Sequence, residues 1–279
     1  MIKAIFFDID GTLLTSRGKI SKTTKKAIFQ AQQNGVLCGV STGRSPMSVK
    51  RILKDLPLDM FVTYNGQYVY TTKEIVRQEP FDQKVLAEVV AFSDRKSRQI
   101  AFFAKNHLEG SLTVRISETG VLRHLIRFVP KRFPIRRMKL ILQKYSPRRR
   151  SNRYKKLSIL KEPIYQCVLL SAEYEANKLR RLLPNCDFQR SNPYSVDIVP
   201  KGGSKFVGIE SFLNDRGIKK EETMVFGDHF NDIEMIQGVG IGIAMGNAMK
   251  ETKEAADYVT LSNDDEGIIK ALQHFKIID

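Results

Sequence analysis

Ile2-Lys3-Ala4-Ile5-Phe6-Phe7-Asp8-Ile9-Asp10-Gly11-Thr12 decides the fold. An apolar run the length of one buried strand ends in two carboxylates two residues apart, followed by Gly-Thr. A central strand of a parallel sheet is covered on both faces and reads as a near-continuous apolar run. Ligands of such sheets bind beyond the carboxyl ends of the strands, which is where Asp8 and Asp10 fall. Their spacing lets both side chains lean toward one point. Like charges that close call for a cation between them or a proton on one of them. Oxygen-only ligands suit a hard divalent cation such as Mg²⁺. The stretch alone is also what a strand running into an ordinary Asp-Gly turn looks like.

Outward from this strand the chain alternates. A helix is expected over Ser21–Asn34, with Ser21 as N-cap and Gly35 as its stop. Val36–Val40 is a second strand, and Ser45-Pro46 opens a helix with Pro where its missing N–H is harmless. Phe61–Thr63 is a third strand, turned at Asn65-Gly66 into Gln67–Tyr70 as a hairpin. The middle reads as α+β. Gln83–Phe92 and Glu173–Leu183 are helical, Gln99–Ala104 and Tyr165–Leu170 are strands, and a further helix is placed near Arg136–Tyr145. From Val196 the alternation returns: a strand at Val196–Val199, a helix from Ser204 to Arg216, a strand at Thr223–Phe226, a helix at Ile233–Gln237, a strand at Gly240–Ala244 and a helix at Met249–Ala256. The expected class is α/β, a Rossmann-like parallel-sheet core made of 1–80 and 196–279 with an α+β unit inserted at 81–195.

Length and charge agree with that division. The chain has 279 residues, more than the usual single domain. Its net charge is +16, and Phe81–Ser195 carries 25 basic and 9 acidic residues, which accounts for all of the excess. No acidic residue occurs between Thr119 and Lys161. No apolar run is long enough to span a membrane, and the N-terminus enters the strand without a secretory pattern. Three cysteines, Cys38, Cys167 and Cys186, lack metal-ligand spacing and are expected to be reduced in a cytoplasmic protein. The scattered His107, His124, His229 and His274 do not suggest a zinc site.

Four clusters follow expected strands: Asp8-Ile9-Asp10-Gly11-Thr12, Ser41-Thr42-Gly43, Gly202-Gly203-Ser204-Lys205, and Gly227-Asp228-His229-Phe230-Asn231-Asp232. Each alone has a plain reading as a loop, a solvated lysine or a helix cap. Together they supply what phosphoryl transfer from a monoester to water needs: a carboxylate nucleophile, a second carboxyl to protonate the leaving oxygen, and cations on the equatorial oxygens. Thr42 and the Gly43 amide can hydrogen-bond phosphate oxygens. Lys205 can hold the same oxygens and keep Asp8 ionised. Asp228 completes a Mg²⁺ ligand set with Asp8 and Asp10.

In these residues the chain resembles the haloacid dehalogenase superfamily of phosphohydrolases, in particular its Cof-like branch. Asp8-Ile9-Asp10-Gly11-Thr12-Leu13-Leu14 matches the first motif and Ser41-Thr42-Gly43-Arg44 the second. Lys201-Gly202-Gly203-Ser204-Lys205 matches the third and Gly227-Asp228 with Asn231-Asp232 the fourth. Ala244-Met245-Gly246-Asn247-Ala248 is typical of the branch. The resemblance covers both core segments; the insert matches by position and length, as the family's large α/β cap. It implies that Asp8 is the nucleophile that becomes an aspartyl-phosphate. Asp10 is the acid and then the base. Asp8, the Ile9 backbone and Asp10 surround Mg²⁺ and phosphate, with Asp228 the third metal carboxylate. Thr42, Gly43, Lys205 and Asn231 bind phosphate, while Asp232, orienting Lys205 or a metal-bound water, and Arg44 support. Asp10 marks a phosphatase, because the superfamily's dehalogenases lack that acid.

The expected partner is a small phosphorylated molecule drawn by a basic cap that opens and closes. A phosphomutase or phosphotransferase would use the same aspartyl-phosphate. A non-enzymatic binder of nucleic acid or another polyanion would use the run Arg148-Arg149-Arg150-Ser151-Asn152-Arg153, flanked by Tyr145 and Tyr154 for base stacking.

Overall fold

A computed structural model of the protein describes residues 1–54, 56–95, 98–111, 114, 153–192 and 194–279. The chain divides into two compact units, one of 1–79 with 202–279 and one of 80–201.

The first unit is built on β1 (Ala4–Phe7), β2 (Leu37–Ser41), β3 (Met60–Thr63), β4 (Tyr68–Thr71), β5 (Ile75–Gln78), β11 (Thr223–Gly227), β12 (Ile241–Ala244) and β13 (Tyr258–Val259). They lie in the order β13-β12-β11-β1-β2-β3-β4-β5. From β13 to β3 every pairing is parallel; β4 and β5 extend the edge antiparallel. The apolar run of β1 is explained by its central place. Ile5 and Phe7 pack on one face with Cys38, Val40 and the helices α1 (Lys22–Gln33) and α8 (Gly267–His274). Ala4 and Phe6 pack on the other with Val62 and Ile209, Phe212 and Leu213 of α5 (Lys205–Arg216). Burying each of the Ile, Val, Leu and Phe side chains among them is worth about 1.5–3 kcal/mol.

The helix starts follow from serine caps. Ser21 Oγ accepts from the Thr24 N–H at 2.9 Å. Ser45 Oγ accepts from the Ser48 N–H at 3.2 Å to open α2 (Pro46–Ile52). Ser204 Oγ accepts from the Val207 N–H at 3.2 Å to open α5. Each satisfies a backbone donor that the first helical turn leaves unpaired.

The second unit carries β6 (Ile100–Ala104), β7 (Leu108–Gly110), β8 (Ile164–Leu170), β9 (Cys186–Gln189) and β10 (Ser195–Pro200), all antiparallel, in the order β7-β6-β8-β10-β9. Leu86, Val89 and Val90 of α3 (Gln83–Arg95) and Leu179 of α4 (Ala176–Leu182) pack against Phe102, Leu169 and Ile198. Arg98 and Glu175 make a two-pronged buried ion pair at 2.9 Å and 2.9 Å, and Ser171 donates to the same carboxylate at 3.0 Å.

Two expectations change here. Val196–Val199, read as reopening the core, lies in β10 between β8 and β9 of the antiparallel sheet. An alternating apolar strand does not name its partner, and here those partners flank it in space. Tyr154, named with Tyr145 as able to stack on bases in the polyanion-binding alternative, is buried: its hydroxyl donates to the Arg98 carbonyl at 2.6 Å and its ring meets Phe102 edge-on. The helix expected near Arg136–Tyr145, the run Arg148–Asn152, Tyr145 and His124 lie outside the described residues. Among the described residues no helix is long and apolar enough to cross a membrane.

Candidate active site

The strand order β11-β1-β2 sets the loops that follow these strands side by side at their carboxyl ends. They carry Asp228, Asp8 and Thr42.

After Phe7 the chain leaves the strand. The Asp8 N–H still donates to Phe226 across the sheet at 2.9 Å. The loop then closes through Leu13 N–H to the Asp8 carbonyl at 3.1 Å and Leu14 N–H to the Ile9 carbonyl at 2.9 Å. Gly11, at φ 92°, provides the left-handed backbone this reversal needs.

Lys205, the first residue of α5, reaches into the centre. Its side chain is 1% exposed, and Nζ lies 2.6 Å from Asp8 Oδ1 and 2.6 Å from Asp232 Oδ1. The other oxygen of Asp232 accepts from the N–H groups of Asp228 at 2.9 Å and His229 at 3.0 Å. Asp232 is thereby engaged through both oxygens, one of them on Lys205. Asp228 is buried, and Thr12 Oγ1 donates to it at 3.4 Å. Carboxylate oxygens of Asp8, Asp228 and Asp232 lie within 4.8 Å of one another.

Asp10 stands apart from that group. Its side chain is 32% exposed and is gripped by Arg44, whose Nε and Nη2 donate to its two oxygens at 2.6 Å each. Arg44 is itself buried and also donates to Ser48 Oγ at 3.0 Å. The Arg44 N–H donates to Thr42 Oγ1 at 3.2 Å. That hydroxyl keeps its own proton for a further acceptor. Gly43 is half-buried between Thr42 and Arg44. Asn231 Nδ2 donates to Asn65 Oδ1 at 3.3 Å. The His229 ring meets Phe230 edge-on at 5.1 Å.

Burial pushes the Asp8 carboxyl up to about 7, against the pull of Lys205 and with the help of Asp232 and Asp10. Lys205 pulls the Asp8 carboxyl toward its ionised form, and this one ammonium is shared between two buried carboxylates. Burial also works against charged Lys205, but Asp232 and Asp8 overcome it and hold its pKa above the ordinary lysine range. A third buried carboxylate, Asp228, lies beside them. A buried cluster of carboxylate oxygens suits a hard divalent cation.

Three residues in this arrangement were not singled out from sequence as site residues. Thr12 lay in the opening stretch. Asn65 was read as a hairpin turn. Asn247, in the Ala244–Ala248 stretch, donates to the Gly11 carbonyl at 2.8 Å and accepts from the Asn263 N–H at 2.9 Å, tying down the Asp10 loop.

The family pattern of the haloacid dehalogenase-like hydrolases matches residues 5–272. YkrA of Bacillus subtilis strain 168 is 29% identical over 276 residues, covering 99% of this chain and 98% of its own. The 5-amino-6-(5-phospho-D-ribitylamino)uracil phosphatase YcsE of the same strain is 28% identical over 277 residues, covering 98% and 96%. Among solved structures, the subclass IIB sugar phosphatase BT4131 superposes with a TM-score of 0.81 at 29% identity, covering 99% of this chain and 100% of its own. A match over nearly the whole length, carried by a chain whose Asp8, Lys205, Asp228 and Thr42 clusters lie at the carboxyl ends of its parallel strands, places it in the haloacid dehalogenase-like hydrolase family.

Proposed function

We propose that the protein is a Mg²⁺-dependent phosphatase that hydrolyses small phosphorylated metabolites, of sugar-phosphate or phosphorylated-cofactor type, by way of a phosphoryl group carried on Asp8. The observation that carries this reading is the buried chain Asp8–Lys205–Asp232 with Asp228 beside it. A sugar phosphatase and a phosphoribitylamino-uracil phosphatase among the similar proteins support the substrate class.

Asp8 attacks phosphorus with a carboxylate oxygen, and the bond from phosphorus to the leaving oxygen breaks. Asp10 gives that oxygen a proton, then takes one from the water that attacks the Asp8 phosphoryl group. Inorganic phosphate leaves and the Asp8 carboxylate is restored. Lys205, Thr42, the Gly43 and Ile9 backbone amides and Asn231 hold the phosphate oxygens as charge moves onto them.

Asp8 and Asp228 are the carboxylates that would hold Mg²⁺, with Asp10 joining once Arg44 loosens its grip. Asp232 has its two oxygens committed to Lys205 and to two backbone N–H groups. Bound there, the ion would offset the charge of these carboxylates and the charge on the phosphoryl oxygens. Each oxygen of Asp10 accepts one N–H from Arg44 and keeps a second lone pair for the transferred proton.

The test is inorganic phosphate release from a panel of phosphorylated metabolites, with and without Mg²⁺, beside Asp8→Asn. Release that needs Mg²⁺ and is absent in the variant is expected. Release retained by Asp8→Asn would overturn the nucleophile, and an isomerised phosphoester in place of free phosphate would overturn hydrolysis.

A further inference from the structure

The turn between β3 and β4 places a tyrosine where glycine or asparagine is the usual residue. Tyr64 and Asn65 both sit at φ 52°. A buried tyrosine in the left-handed region is an outlier that its surroundings must hold in place. Those surroundings are the candidate site. The Tyr64 N–H donates to the Arg44 carbonyl at 3.1 Å, and the Asn65 N–H donates to the Thr42 carbonyl at 3.0 Å. Gly66 lies so close to the start of α5 that a Cβ on it would stand 1.9 Å from the Ser204 carbonyl oxygen. The turn thus joins the Thr42 loop, the residue before Lys205 and, through the Asn65 side chain, Asn231.

We propose that Asn65 is a positioning residue for phosphate binding, acting through Asn231. This rests on the phosphatase reading. Asn65 is fully buried, at 0% exposure, and its Oδ1 accepts from Asn231 Nδ2 at 3.3 Å. A side-chain amide has a donor end and an acceptor end, and phosphate oxygens need the donor. An acceptor at Asn65 fixes which way the Asn231 amide faces. One amino hydrogen goes to Asn65 and the second is left for the anion. The same residue holds the Thr42 carbonyl with its backbone N–H, so two phosphate contacts in the loops after different strands are registered by one turn. Asparagine meets each demand: it tolerates the left-handed backbone and carries a neutral acceptor. Glycine keeps only the backbone, and aspartate adds a charge beside an anion.

Asn65→Gly separates the two demands. Wild type, Asn65→Gly, Asn231→Ala and the double variant are assayed with p-nitrophenyl phosphate and Mg²⁺, with inorganic phosphate as competitive inhibitor. Asn65→Gly is expected to lower kcat/KM by about 10- to 100-fold and to weaken phosphate inhibition in parallel. It should cost nothing further in the Asn231→Ala background, since both changes remove one unit. Equal losses in both backgrounds, or no loss in either, would overturn the proposal. If Asn65→Gly unfolds, Asn65→Asp keeps the backbone and the acceptor. Asn231→Ala is expected to cost about 10-fold or more there as well, and no cost would overturn the proposal. A wild type that releases no phosphate from any phosphoester has a different signature: it overturns the phosphatase reading, and the role of Asn65 with it.

Discussion

Lys205 Nζ stands midway between Asp8 Oδ1 and Asp232 Oδ1, 2.6 Å from each, with all three side chains out of solvent. The ammonium is a structural counter-charge as well as the phosphate ligand of the proposed function, and the two tasks respond differently to substitution. Lys205→Met leaves two buried carboxylates facing each other. Breaking a buried ion pair from one side costs about 3–5 kcal/mol. A large fall in Tm is expected together with loss of phosphate release. Thermal unfolding followed by circular dichroism checks the first, and a variant with wild-type Tm would mean that the pair is not desolvated as described.

Arg44 holds Asp10 through both oxygens. Lysine keeps the charge but cannot make the forked contact. Arg44→Lys is expected to lower kcat by about 10-fold and Arg44→Ala by about 100-fold, the scale of a misplaced catalytic group. Steady-state kinetics with one phosphoester decides it. Equal rates in wild type and Arg44→Ala would show that Asp10 is placed without Arg44.

The cluster of buried carboxylates around Asp8 and Asp228 ties metal to stability. A ligand that binds only the folded state adds about 2.7 kcal/mol at one hundred times its Kd. Saturating Mg²⁺ is expected to raise the Tm of the first unit by about 5–10 °C, and EDTA should reverse the rise and abolish phosphate release. Asp228→Asn should lose most of the shift. A shift that survives in Asp228→Asn would move the ion elsewhere.

Burial raises the thiol pKa of Cys38, Cys167 and Cys186, the last to about 12. The thiolate is the reactive form, so raising the pKa removes it at pH 8. The native protein is expected to react with 5,5′-dithiobis(2-nitrobenzoic acid) only at the rate of unfolding. All three thiols should react at once in guanidinium chloride. A fast thiol in the native protein would contradict the buried placement.

Much of this site was written locally. Asp8 follows an apolar strand because that strand is buried on both faces. Ser21, Ser45 and Ser204 announce helix starts through a side-chain oxygen that reaches only three residues ahead. The Gly-rich approach to Lys205 and the Gly-Asp pair after β11 are legible for the same reason: each strand-to-loop transition is specified by its own few residues. The charge break likewise marked a separate inserted unit.

Tertiary structure decided what depends on neighbours distant in the chain. The parity of Val196–Val199 fits either sheet, and only the strands beside it put it with β8 and β9. Asp8 and Asp10 share a face in an extended strand, yet the chain turns at Asp8. Arg44 therefore takes Asp10, while Asp232, 224 residues from Asp8, joins the buried group. Asn65 looked like turn chemistry, which it is. That its amide meets Asn231, 166 residues away, follows from two strands lying on either side of β1 and β2, a contact no local pattern encodes.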